Sequence, residues 1–159
     1  MRPLRILYVT TALLAAASPA FADATAFIGN TATPSNRTVK GAAIGMSLLI
    51  VGFEFEYAHT SEDDAQAAPA LTTGMGNVLL QTPFPIFGMQ PYLTAGGGLY
   101  RETLADAHET QLGVNTGGGV KFSLLGPLRA RVDYRVFNLR GNPLHSTVHR
   151  VYAGVNLAF

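Results

Sequence analysis

The sequence contains no cysteine. That absence excludes a disulfide scaffold, a thiolate metal site and a cysteine nucleophile. Charge is scarce as well: 13% of the 159 residues are Asp, Glu, Lys or Arg, about half the usual share. Lysine occurs only at positions 40 and 121, and the formal net charge is +1. No strong field is therefore available to steer a polyanion, which argues against nucleic acid as a partner. With 48% hydrophobic residues the chain is too apolar for a disordered tail. Yet it lacks an apolar run long enough for a membrane helix. The best candidate, Gly41 to Phe53, falls well short of the ~20 residues a helix needs, carries three glycines, and runs straight into a period-two pattern.

The first 22 residues read as a leader. Arg2 and Arg5 precede an apolar stretch from Ile6 to Ala17, and Ala20-Phe21-Ala22 gives the small-x-small pattern of a cleavage site. Cleavage is expected after Ala22, leaving residues 23–159 as one domain. A membrane anchor is the weaker reading, because the apolar stretch is short and ends at Pro19.

The remainder alternates. Val51, Phe53, Phe55 and Tyr57 are separated by Gly52, Glu54 and Glu56. Leu128, Ala130, Val132, Tyr134 and Val136 are separated by Arg129, Arg131, Asp133 and Arg135. Leu112 to Phe122 and Arg150 to Phe159 alternate in the same way. Each stretch has one apolar face and one small or charged face, the signature of a strand with two different environments. Eight strands are predicted, near 24–30, 40–48, 50–59, 71–81, 90–101, 111–123, 128–138 and 147–159. In the fifth, the phase that turns Tyr92 and Tyr100 outward is favoured. The long polar connections TATPSNRTV, TSEDDAQAAP, ETLADAHET and LRGNPLHST alternate with a tight turn near Leu49, PFPIFGM and LLGP. An even strand number with alternating long and short connections predicts an all-β, eight-stranded antiparallel up-and-down transmembrane barrel, with both termini on the periplasmic side.

Alternation alone does not say which face is inside. A soluble barrel puts its apolar face inward, and a membrane barrel inverts this. Inversion is favoured here by two aromatic levels. Tyr57, Tyr100 and Tyr134 fall late in outward-running strands, and Phe122 and Phe159 fall at the ends of returning ones. It is also favoured by a polar face of glycines and few charges, where a solvated face would carry lysine and glutamate.

The chain closes on Val151, Ala153, Val155, Leu157 and Phe159 at alternate positions. This ending resembles the insertion signal read by the outer-membrane assembly machinery. RVDYRVF (131–137) resembles the seventh strand of the small OmpA-like and OmpX-like barrels. PYLTAGGGLY, GGGVKF and HRVYAGVNLAF are similar to segments of porin-family outer-membrane barrels of Gram-negative bacteria. The resemblance covers residues 23–159. It implies a monomer in the outer membrane, in contact with lipid and lipopolysaccharide and delivered by periplasmic chaperones and the assembly machinery. It also implies a bore filled by crossed ion pairs.

The alternation supplies the candidates for those pairs. Glu54 and Glu56 face Arg129, Arg131, Asp133 and Arg135 across the bore, with Lys121 and Arg150 on the same side of the sheet. Unpaired burial of one charge costs several kcal/mol, so pairing is expected. The pairs either fill the interior or form a narrow gate for slow leakage of small solutes. No enzyme, cofactor or metal is expected. A lipid A-modifying barrel would need serine, histidine and acid converging at the outer rim. His59, Ser61 and Asp63 in one loop, and His145, Ser146 and His149 near the last, are the available residues. Glu62, Asp63 and Asp64 with His59 are the available set for a hard cation. In both cases a solvated polar loop is the favoured reading. A soluble periplasmic lipocalin-like ligand binder remains a third alternative.

Overall fold

The computed structural model describes residues 21–104 and 107–159; the predicted leader lies outside them except for Phe21 and Ala22. Eight strands follow one another: β1 (Phe21–Thr31), β2 (Arg37–Leu48), β3 (Val51–Thr60), β4 (Ala70–Gln81), β5 (Met89–Leu104), β6 (Ala107–Leu125), β7 (Leu128–Leu139) and β8 (Thr147–Ala158). Each pairs antiparallel with the next, and β1 pairs with β8, closing the barrel. The chain is thus an all-antiparallel, up-and-down transmembrane barrel. One 3-10 turn, Asp64–Gln66, interrupts the β3–β4 loop.

Closure leaves no sheet edge. In lipid no water can satisfy a free N–H or C=O, so closure is the only way for strands to span. β1 and β8 pair in register from Asp23 against Ala158 to Thr31 against Arg150, so the seam is complete within residues 23–158. At the end holding both termini the turns are tight: Leu49-Ile50 joins β2 to β3, with Leu49 at φ 49, and Gly126-Pro127 joins β6 to β7, with Gly126 at φ 55. The left-handed conformation is natural for Gly126 and costs Leu49 some strain.

The faces are inverted relative to a soluble barrel. Ile44, Phe53, Phe55, Leu93, Leu99, Val132, Val151 and Val155 are outward and exposed. Arg131, Arg135, Arg150, Glu56 and Asp133 are inside and at most 1% exposed. A soluble lipocalin-like barrel is therefore ruled out. The apolar core is small and sits in the bore toward the loop end. One cluster joins Leu71, Met75, Tyr100, Phe137, Leu139 and Val148; a second joins Phe27, Val39, Ala58 and Tyr152.

Two expectations are corrected. In β5 the tyrosines point inward: Tyr92 and Tyr100 are buried, while Leu93 and Leu99 face out. The physical reason is partner chemistry, since both phenol hydroxyls find acceptors inside and the leucines need none in lipid. Tyr100 is therefore not part of an outer aromatic level. Second, ETLADAHET is not a long loop. β5 and β6 pair as far as Leu104 and Ala107, so this connection is a projecting hairpin.

The lipid face makes a direct test. Val132→Arg, in the middle stretch of β7, should destabilise the barrel by roughly 2–4 kcal/mol, as a cation on the lipid face of a barrel does. Urea unfolding in lipid vesicles, followed by heat-modifiable gel mobility, would measure it.

Candidate functional site

Strands three and seven of an eight-membered ring face each other across the bore, and the period of two aligns their alternate residues. β3 thus presents Glu54 and Glu56, and β7 presents Arg131, Asp133 and Arg135. Arg131 grips Glu54 through both terminal nitrogens, with Nη2 donating to Oε1 at 3.2 Å. Arg135 Nη2 donates to the same Oε1 at 2.8 Å. Asp133 sits between the two arginines, accepting from Arg131 Nε at 2.8 Å and Arg135 Nε at 3.1 Å. Glu56 lies beside Arg135 Nη1 at 3.1 Å, and accepts from Arg150 Nη1 at 3.3 Å and the Tyr152 hydroxyl at 2.8 Å. Lys121 Nζ donates to Asp23 at 2.7 Å.

Aromatic rings complete the lattice. The Tyr92 hydroxyl donates to Asp133 and accepts from Arg131 Nε at 2.7 Å. The guanidinium of Arg131 lies 5.0 Å from the Tyr92 ring centroid, and that of Arg150 lies 4.3 Å from that of Phe137. Such cation–π contacts hold cations in place without a counter-charge. Space for them comes from glycine. A Cβ on Gly119 would strike the Val132 carbonyl and come within 2.5 Å of the Tyr92 hydroxyl.

The bore is therefore layered. Apolar side chains occupy its loop end and the ionic lattice its middle. Below the lattice, toward the tight turns, is a cavity of about 290 Å³ lined by Asp23, Gln81, Gln90, Arg129 and Phe84 among others. Within the lattice the ionic groups balance, with Lys121, Arg131, Arg135 and Arg150 against Asp23, Glu54, Glu56 and Asp133; the other buried cation, Arg37, donates instead to the carbonyls of Thr33, Ser61 and Pro69 near the loop end. Compensation is what makes their burial tolerable. Losing one partner of a buried pair typically costs about 3–5 kcal/mol, because the other is left uncompensated.

Of the residues predicted for this network, Glu54, Glu56, Lys121, Arg131, Asp133, Arg135 and Arg150 meet in it. Arg129 does not. It lies on the lowest rung of β7, half-buried, and donates to Gln90 Oε1 at 3.1 Å, below the reach of the carboxylates. Asp23, Tyr92 and Tyr152 are members that sequence reasoning missed. Asp23 stands next to the expected cleavage point, Tyr92 lies in the strand whose phase is corrected above, and Tyr152 shares its face of β8 with Gly154 and Asn156, where alternation gives no sign of a partner. On the outer surface, Tyr57 and Tyr134 face out near the loop end of the barrel and Phe122 faces out near the turn end. Val151, Ala153, Val155, Leu157 and Phe159 form the outward face of β8 and its end.

The residues available for catalysis are dispersed. His59 Nδ1 is 3.0 Å from Thr72 Oγ1 on the outer surface. Ser61 Oγ donates to Thr38 O, and Asp63 accepts from Ser35 Oγ at 3.2 Å. His149 Nδ1 pairs with the Tyr134 hydroxyl at 2.7 Å. Among the described residues, no serine bonds a histidine, and no group of three or more His, Asp and Glu side chains could hold a metal ion.

No family model matches the sequence, and no curated protein matches it. Solved structures do. The chain is similar to the N-terminal β-barrel domain of Pseudomonas aeruginosa OprF, with TM-score 0.67, 19% identity, and coverage of 87% of this chain and 97% of that one. It is similar to Neisserial surface protein A, with TM-score 0.71, 17% identity, and coverage of 89% and 98%. It also resembles the outer membrane enzyme PagL, with TM-score 0.55, 11% identity, and coverage of 85% and 98%. At these identities the likeness is one of fold, that of small eight-stranded outer-membrane barrels.

Tyr92 tests the lattice with least disturbance. Tyr92→Phe removes the hydroxyl shared by Arg131 and Asp133 and should lower the unfolding free energy by about 1–3 kcal/mol. Urea titration of the barrel in vesicles would detect the shift.

Proposed function

We propose that the chain is a monomeric, non-enzymatic barrel of the Gram-negative outer membrane, with a structural or surface-interaction role and a bore closed by its own side chains. The observation that carries this reading is the lattice centred on Glu54, in which Arg131 and Arg135 are at most 1% exposed and both terminal groups of Arg131 are spent on one carboxylate. A conducting pore would keep these charges hydrated. In this reading the side chains fill the cross-section, which the packing of Leu71, Phe137 and Val148 against one another toward the loops supports. At most, slow leakage of small solutes follows when pairs rearrange. Residues 1–22 act as the cleaved leader, Tyr57, Tyr134 and Phe122 as interfacial aromatics, and the outward face of β8 as the signal that periplasmic chaperones and the assembly machinery read. Outer-membrane lipid and lipopolysaccharide surround the barrel.

The enzyme reading draws on the likeness to PagL alone. Among the described residues no serine and histidine converge as acyl transfer needs, which favours the non-enzymatic reading.

Two measurements test the proposal. N-terminal sequencing of the membrane-extracted protein should begin at Asp23. In planar bilayers the wild type should be nearly silent. The double substitution Glu54→Gln, Glu56→Gln removes a carboxylate from each of three arginines, leaving Asp133 to Arg131 and Arg135 and none to Arg150, and should raise the frequency of conducting events at least several-fold. An equally silent double variant would remove the ion pairs from any closing role.

A further inference from the structure

The lipid-facing surface carries a second ionic feature, opposite in character to the bore. Parity sends Lys40 outward from β2, His59 from β3, Thr72 from β4, Arg101 from β5 and Thr110 from β6. Register then aligns them. Lys40 is the cross-strand partner of His59, His59 of Thr72, Thr72 of Arg101 and Arg101 of Thr110. The five form one continuous row across five adjacent strands. Two of them, Lys40 and Arg101, are permanent cations, and the row contains no acid.

The next outward rung below it is Ala42, Tyr57, Gly74, Leu99 and Leu112, again in register. That rung is apolar apart from a phenol, as befits side chains at the edge of the hydrocarbon layer. Each residue of the row therefore lies about 7 Å further along its own strand than the rung that holds Tyr57. It is on the loop side, where headgroups of the outer leaflet sit.

The side chains are held ready. The Arg101 Nε–H donates to Thr110 Oγ1 at 3.1 Å, and His59 Nδ1 is 3.0 Å from Thr72 Oγ1. Among the described residues neither Lys40 nor Arg101 has a carboxylate within ion-pair distance, although four carboxylates are available to the bases in the bore. From β2 to β5 the row spans three strand spacings, about 14 Å. That exceeds the width of one phosphate and suits a headgroup with two anionic groups.

We propose that Lys40, His59 and Arg101 form a binding site for the phosphates of a doubly phosphorylated outer-leaflet lipid, whose acyl chains run down over Tyr57, Gly74 and Leu99. The site rests on the outer-membrane reading above and adds to it a lipid of stated chemistry. Arginine and threonine grip one phosphate by directed hydrogen bonds, and lysine meets the other as a point charge. Among the described residues the row itself holds no acid, so it attracts an anion at the headgroup level.

The test uses the full-length mature barrel in zwitterionic detergent micelles, titrated with bisphosphorylated lipid A, monophosphorylated lipid A or inorganic phosphate, with bound lipid counted by native mass spectrometry. The wild type should hold the bisphosphorylated lipid most tightly, and millimolar inorganic phosphate should not displace it. Lys40→Gln with Arg101→Gln should weaken that binding about thirtyfold, as the loss of two interfacial cations predicts. Lys40→Arg with Arg101→Lys should retain most of it. Arg129→Gln, which removes one cation at the other end of the barrel, should leave it unchanged. Heat-modifiable mobility shows that each variant is folded. A heat-modifiable wild type that binds both lipids equally, or a folded double glutamine variant that binds as the wild type does, overturns the site alone. Complete displacement by inorganic phosphate also overturns it, in favour of a free-anion site. A chain that never becomes heat-modifiable overturns the outer-membrane reading, and the site falls with it.

Discussion

The structure depends on one constraint: a backbone in hydrocarbon must satisfy its own hydrogen bonds. For strands this means closure, and closure of eight strands fixes the rest. It fixes a bore just wide enough for side chains. It sets β3 opposite β7. It also makes every second residue either a lipid contact or a filler of the interior, so a charge within the hydrocarbon layer has only one tolerable direction. The ionic lattice follows from the geometry of the wall more than from any affinity between particular residues.

Within that wall the lattice behaves as a polar core. In water-soluble proteins, replacing buried ion pairs by apolar groups is often neutral or stabilising. Here the balance differs in kind, because the apolar residues are already committed to the outside. Tyr92 and Tyr152 serve both requirements at once, giving ring area to the arginines and a hydroxyl to the acids. Arg150 is the least satisfied member. Its Nε and Nη2 lack a partner among the described residues, and the Phe137 ring offsets only part of that deficit. The outward row of Lys40, His59 and Arg101 gives a contrast: bases and acids mixed in the bore, bases without acids in that row.

Much of this was legible before any coordinates. Strand number and the phases of β3, β6, β7 and β8 follow from period-two alternation, because a single slip would expose a charge to lipid: glutamate in β3, lysine in β6, arginine in β7 and β8. β5 resisted, since both of its parities are acceptable in lipid: tyrosines on one, leucines on the other, glycines on each. What decides its phase is a set of partners on and just after β7, two strands away and about 40 positions along the chain: Asp133 and Arg131 for Tyr92 and the Arg140 carbonyl for Tyr100. Local pattern carries no such information. The β5–β6 connection was misread for a similar reason. Its polar residues look like a loop, yet beyond the membrane a paired hairpin can be polar on both faces. Asp23 was overlooked as a partner for Lys121 because the two lie 98 positions apart.

The seam between β1 and β8 carries one more implication. The two strands that close the ring are the first and the last of the barrel. No subset of hairpins can finish the cylinder, so until the eighth strand arrives every intermediate is an open sheet with two sticky margins and a row of greasy side chains looking for cover. Contacts of such long sequence separation form slowly. The molecule therefore spends its youth vulnerable, and whatever escorts it must shield the growing curtain from one terminus to the other before the zip is drawn.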